Sequence, residues 1–281
     1  MDFVTSDGIK LYYERKGNGI PCLYLHGGPG YWSKSFQHYA GKYLEKNFDM
    51  IYLDQRGCGR SEYSLSKEYS LEKIINDIEE LRIFLGIKEW YIIGHSFGGI
   101  LAVNYAYYFP NRTIGLILSN VTLCMYYSFM HQINKGSEIL GIEKPVIKKD
   151  DFKSFVDTFY FILKELLIKG DYFKLQFLEK ENKKQLDLID QSLQSDPNFQ
   201  QYVFSSKEYF QDFTLLTKNI KKRVLVITGE FDDAIGPEHY LSFKFENIVI
   251  HKIKSSHHPY IENQIEFKNI IEDFIHKDYQ K

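Results

Sequence analysis

Three cysteines, Cys22, Cys58 and Cys124, are all that 281 residues contain, odd in number, far apart and without a C-x-x-C pair. That excludes a disulfide framework and a thiolate zinc site, and the thiols read as reduced in a cytoplasmic protein. Excess charge is missing too: 35 lysines and arginines stand against 37 aspartates and glutamates, so no basic surplus is available to hold a nucleic acid or an anionic membrane. The expected partner is a small molecule or a short peptide. No run of about 18 apolar residues occurs, and the start, MDFVTSDGIKLYYERKG, has no basic region followed by an apolar one. These absences predict a soluble, non-secreted protein. The glycine-rich segments lack the G-x-x-x-x-G-K-S/T spacing of a phosphate loop, and no motif asks for a nucleotide, flavin or metal, so no cofactor is expected.

What is present is a core-forming sequence, 44% hydrophobic, long enough for one large domain or a domain with an insert. Short apolar runs lie at 22–25 (CLYL), 50–53 (MIYL), 90–93 (WYII), 115–118 (GLIL), 224–228 (VLVIT) and 248–250 (IVI). Such runs suit strands buried on both faces of a parallel sheet. Ser6-Asp7-Gly8 before 9–15 (IKLYYER) predicts an N-terminal hairpin. Between the runs, Leu71, Ile74, Ile75, Ile78, Leu81 and Leu85 share one helical face, with Ser70 as N-cap and Gly86 past the end. This alternation is that of an α/β layer fold, a mostly parallel sheet flanked by helices.

One interval breaks the rhythm. From Ser119 to Val224 no buried strand is evident, so 122–220 reads as an inserted helical unit, with 1–121 and 221–281 forming the sheet domain. Helices are expected over about 150–169 and 171–188. The aromatics there, Phe152, Phe155, Phe159, Tyr160, Tyr172, Phe173 and Phe177, sit at the spacing of a packed helical core, and EKENKK at 179–184 reads as a solvated face.

Chemistry is concentrated at the ends of the strand-like runs. Gly94-His95-Ser96-Phe97-Gly98 fits G-x-S-x-G between WYII and a helical stretch that stops at Pro110. That strand–turn–helix setting lifts a serine hydroxyl above the sheet and aims free helix N–H groups at a developing oxyanion. His26-Gly27-Gly28-Pro29-Gly30 follows CLYL, and its paired glycines leave backbone amides unshielded. The N–H of Gly28 and that of Phe97 are the expected oxyanion donors, and His26 is expected to brace the loop. In 54–61, DQRGCGRS, the charges are expected to tie a loop together. A serine needs a base and the base needs a carboxylate. Gly229-Glu230-Phe231-Asp232-Asp233 after VLVIT and Ser255-Ser256-His257-His258-Pro259 after IVI supply both types, at strand ends where open α/β sheets build their sites. The chain order Ser, Asp, His is that of the α/β-hydrolases.

Taken together, HGGPG, DQRGCGRS, GHSFGG, GEFD and HHPYIE resemble the α/β-hydrolases, specifically their proline iminopeptidase-like branch, over the whole sheet domain. The resemblance implies Asp232 as triad acid, His257 rather than His258 as base, and 122–220 as a helical cap. It also implies that acids from the cap and from the position after the triad acid hold a substrate's free amino group. Asp233 fills the second place. Pro197-Asn198-Phe199 has no glutamate where relatives carry one, leaving Asp196 or Glu208 as substitutes. The implied activity is a serine aminopeptidase releasing N-terminal proline or another small residue. The alternatives are an esterase or lactonase acting on a small uncharged substrate, and a hydrolase fold that binds without turnover.

Overall fold

The computed structural model describes residues 1–147 and 151–279, with side chains to residue 275. Eight strands form one sheet: β1 (Asp2–Val4), β2 (Lys10–Lys16), β3 (Ile20–Leu25), β4 (Phe48–Leu53), β5 (Trp90–His95), β6 (Thr113–Ser119), β7 (Arg223–Gly229) and β8 (Ile248–Ile253). Their spatial order is β1-β2-β4-β3-β5-β6-β7-β8. The first two strands run antiparallel, as the Ser6-Asp7-Gly8 turn predicts, and β2 is antiparallel to β4. Every later pairing is parallel.

The apolar runs are continuous because both faces are covered. Leu23, Leu25, Ile51, Leu53, Ile92, Leu116, Val224 and Val226 point into one core with Ile74, Ile78, Leu81 and Leu101. Their neighbours Cys22, Tyr24, Met50, Tyr52, Ile93, Ile117, Leu225 and Ile227 point into a second core with Phe36, Tyr260, Phe267 and Ile271. Alternate residues thus serve opposite helical layers, as side chains of period two must. The helix Leu71–Phe84 starts where Ser70 accepts a hydrogen bond from the Lys73 amide, and Gly86 follows it at φ 66°.

Between β6 and β7 lie the helices Met125–Leu140, Phe152–Lys169, Lys180–Asp190 and Pro197–Ser205, and no strand among the described residues. The stretch 171–188 is not one helix. A 3₁₀ turn, Tyr172–Leu175, is separated from the helix Lys180–Asp190 by an irregular segment, because 176–178 are held by residues far along the chain. Phe155 and Phe177 are buried, as expected of core aromatics, whereas Phe159, Tyr160 and Tyr172 border a cavity and Tyr160 is 43% exposed, contrary to a purely core role. Among the described residues no helix is long and apolar enough to cross a membrane, and the three cysteines are unpaired.

Candidate active site

Strand β5 ends at His95, and the chain then turns through Ser96 at φ 55°, a left-handed conformation that costs a non-glycine residue about 1 kcal/mol. The helix Gly98–Tyr108 begins immediately. This reversal demands the two flanking glycines. A Cβ at Gly98 would stand 2.2 Å from the Leu25 carbonyl oxygen, and one at Gly94 2.9 Å from that of Gly98. The Ser96 amide donates to the Asn120 carbonyl at 3.2 Å, and its own carbonyl accepts from Thr122 at 3.2 Å, which pins the turn to the end of β6.

Ser96 opens onto a cavity of about 440 Å³ whose wall also includes Gly27, Gly28, Phe97 and His257. The two expected oxyanion donors and the expected base therefore border the same space as the serine. His257 is buried, and its Nδ1 lies 3.1 Å from each carboxylate oxygen of Asp232. With that nitrogen committed as the donor, Nε2 is left as the proton acceptor. Asp232 is itself buried and receives the Asn120 amide at 2.7 Å and the backbone N–H groups of Ala234 and Ile235 at 3.0 and 3.1 Å. Burial pushes its carboxyl up, but the His257 imidazole, Asn120 and the Ile235 amide outweigh it and hold it below the usual range. It stays an anion, able to fix the tautomer of the imidazole.

The profile of the α/β hydrolase fold family matches residues 21–264. The chain belongs to the α/β-hydrolase fold family. The proline iminopeptidase of Neisseria gonorrhoeae is 37% identical over 123 residues, 43% of this chain and 39% of that protein, so the chain spans well under half the length of that relative. The proline iminopeptidase of Saccharolobus solfataricus is 25% identical over 97% of this chain and 91% of its own. Among solved structures, the proline iminopeptidase-related protein of Thermus thermophilus superposes with a TM-score of 0.82 at 19% identity, covering 97% and 95% of the two chains.

The two histidines of this α/β-hydrolase part company. His258 Nδ1 meets the Tyr260 hydroxyl at 2.9 Å, and burial with the neighbouring imidazoles drives its pKa well down. A third imidazole, His95, missed at the sequence level, packs against both, with ring centroids 4.7 Å from His257 and 5.2 Å from His258. His95 Nε2 lies 3.0 Å from the His257 carbonyl, and burial pushes its pKa down to about 3, so it is a neutral donor there. His26 braces its loop as expected: its Nε2 accepts from the Gln55 amide at 3.0 Å and its Nδ1 lies 2.9 Å from the Gly27 carbonyl, with burial lowering its pKa to about 4. The DQRGCGRS charges are likewise structural. Asp54 is shared by Ser33 and Arg60, while fully buried Arg56 pairs with Asp77 at 2.8 Å and Asp7 at 2.9 Å.

The acids expected to face a substrate amine are elsewhere. Asp233 is not in the cavity wall; its carboxylate is 2.8 Å from His131 and 3.9 Å from Lys135 on the helix Met125–Leu140. The reason is local: Asp232 draws the next amides inward, which turns the intervening side chain toward that helix. Asp196 is buried as the cap of Pro197–Ser205 and accepts from Tyr69, and Glu208 accepts from the Leu71 amide and the Tyr202 hydroxyl. The carboxylates that do border the cavity are Asp187 and Asp190. Asp187 pairs with Lys183, and Asp190 accepts from Tyr31, from Trp32 at 2.8 Å and from Ser35 at 2.6 Å. The same wall also carries the apolar side chains of Met125, Phe129, Phe159, Leu163 and Phe204.

Proposed function

We propose that this chain is a serine hydrolase working through an acyl-enzyme, and that its acyl group is an N-terminal proline or another small residue. In this reading His257 Nε2 takes the proton of Ser96 as Oγ bonds to the substrate carbonyl carbon. The oxyanion is received by the N–H groups of Gly28 and Phe97. His257 then gives the proton to the leaving amine as the carbon–nitrogen bond breaks, and water reverses the sequence to free Ser96. Residues 122–220 act as a helical cap over the sheet domain, 1–121 and 221–281. The observation that carries the proposal is that Ser96 and His257 border one cavity while His257 Nδ1 is committed to Asp232. Relatives named proline iminopeptidase support the choice of acyl group.

A second reading, an esterase or lactonase for a small uncharged substrate, is favoured by one observation. Asp233, Asp187 and Asp190 all have cationic or hydrogen-bonding partners within the protein. Labelling with a fluorophosphonate and mapping the adduct tests the nucleophile, and an adduct absent from Ser96 in folded protein overturns both readings. Parallel turnover of a prolyl arylamide, its N-acylated form and a short-chain aryl ester separates them. A peptidase requires the free amine, whereas an esterase prefers the ester throughout.

A further inference from the structure

Residues 176–178 occupy the irregular gap between Tyr172–Leu175 and Lys180–Asp190, and each holds the loop that bears His257. The Gln176 carbonyl accepts from the His257 amide at 3.1 Å. The Phe177 ring, buried, stacks on that of His258 with centroids 4.6 Å apart and 20° between planes. The Leu178 amide donates to Glu262 Oε1 at 2.7 Å, and Glu262 Oε2 accepts from the Ser256 amide at 2.6 Å. One carboxylate thus joins the inserted segment to the residue before His257. From the core side the same loop is held by Asn120 on the Ser256 carbonyl and by His95 on the His257 carbonyl. The imidazole is therefore clasped between two parts of the molecule.

We propose that Gln176-Phe177-Leu178 is a strap that fixes the position of His257, and that Glu262 is the positioning residue joining strap to loop. The inserted segment then does more than cover the cavity: it sets the reach of the base. Gln176 and Tyr172 border the cavity and are bonded to each other at 3.2 Å, so a substrate resting on them bears on the strap and through it on the imidazole. Removing one acceptor of Glu262 leaves either the Ser256 or the Leu178 amide without its partner and loosens the link between strap and loop, and a small displacement of a proton-transfer group costs up to about a hundredfold in rate. The inference rests on the serine-hydrolase reading of Ser96 and His257.

The test compares the full-length protein with Glu262→Gln and Glu262→Ala, using a short-chain aryl ester and the fluorophosphonate. Glu262→Gln keeps the shape of the side chain but has one acceptor where two are needed. It should lower kcat and the Ser96 labelling rate about tenfold, leave KM within about twofold and move the acid limb of the kcat/KM profile. Glu262→Ala should lose more. An unchanged kcat, labelling rate and acid limb in Glu262→Gln overturns the strap, as does a loss carried by KM alone or by the unfolded fraction seen in a thermal melt. If Glu262→Ala does not fold, the glutamine variant decides. Wild-type protein that takes no label at Ser96 sinks the hydrolase reading and the strap together, whereas labelled wild type with an equally fast glutamine variant sinks only the strap.

Discussion

The Nδ1 of His258 lies 2.9 Å from the Tyr260 hydroxyl, whereas that of its neighbour His257 lies 3.1 Å from the Asp232 carboxylate. Two adjacent imidazoles have been given different partners. His257→Ala should therefore reduce kcat/KM by at least about a thousandfold. His258→Asn should lower the melting temperature and cost less than about tenfold in rate. Steady-state kinetics on both variants checks this, and the reverse ranking would move the base to His258.

Ser96 makes a second, double-sided prediction. Ser96→Ala and Ser96→Gly should both lose turnover by several powers of ten and take no fluorophosphonate. They should differ in stability. At φ 55° alanine keeps the backbone strain and glycine does not, so the glycine variant should be about 1 kcal/mol more stable in urea unfolding. Equal stabilities would mean that the turn relaxes without strain.

Stability should also fall in mild acid. Burial lowers the pKa of His26 and His239 to about 4 and that of His95 to about 3, against about 6.5 in an unfolded chain. The unfolded state therefore binds protons first. The stabilisation is complete above about pH 6.5 and is lost as pH falls toward the folded values, each histidine contributing up to about 1.4 kcal/mol per pH unit in that window. His239→Gln, which keeps an acceptor for the Leu123 amide, should flatten the decline. Unfolding midpoints that stay level from pH 7 to about pH 4.5 would contradict the burial of these rings as neutral groups.

Arg56 is fully buried between Asp77 and Asp7. Arg56→Met should cost about 3 kcal/mol or more, because it leaves the buried Asp77 without its main partner. Adding Asp77→Leu should recover part of the loss. Asp7→Asn, at the partly exposed end, should cost no more than about 1 kcal/mol. Chemical denaturation of the three variants gives the comparison.

Asp233→Asn should change turnover of a prolyl arylamide and an aryl ester by the same small factor, since its carboxylate faces His131 rather than the cavity. A loss of about tenfold or more confined to the free-amine substrate would restore the amine-binding role that the resemblance implies.

The elbow was legible because its glycines answer to a backbone constraint that any sequence making this turn must meet. The helix Leu71–Phe84 was legible for a similar reason: its cap, its apolar face and Gly86 are all local. Asn120 and Asp190 gave no such signal, and Glu262, though it closes HHPYIE, gave none of its task, since each gains its meaning from a partner more than 70 residues away or across the inserted segment. The expected helix over 171–188 failed where long-range bonds at 176–178 overrode local propensity. Asp233 lies one residue past the inward-drawn Asp232, and that single step turns its carboxylate to His131 rather than to the cavity wall.

The sheet places β5, the strand before Ser96, at its centre, but the strands that deliver Asp232 and His257 join last, at one edge. A chain emerging from the ribosome can close β1 to β6 and present a finished serine turn while its base is still unmade. On the proposed mechanism, the serine has no proton acceptor until β8 docks. Under that proposal chemical competence arrives only with the final quarter of the polypeptide, and a product truncated before it is expected to be silent.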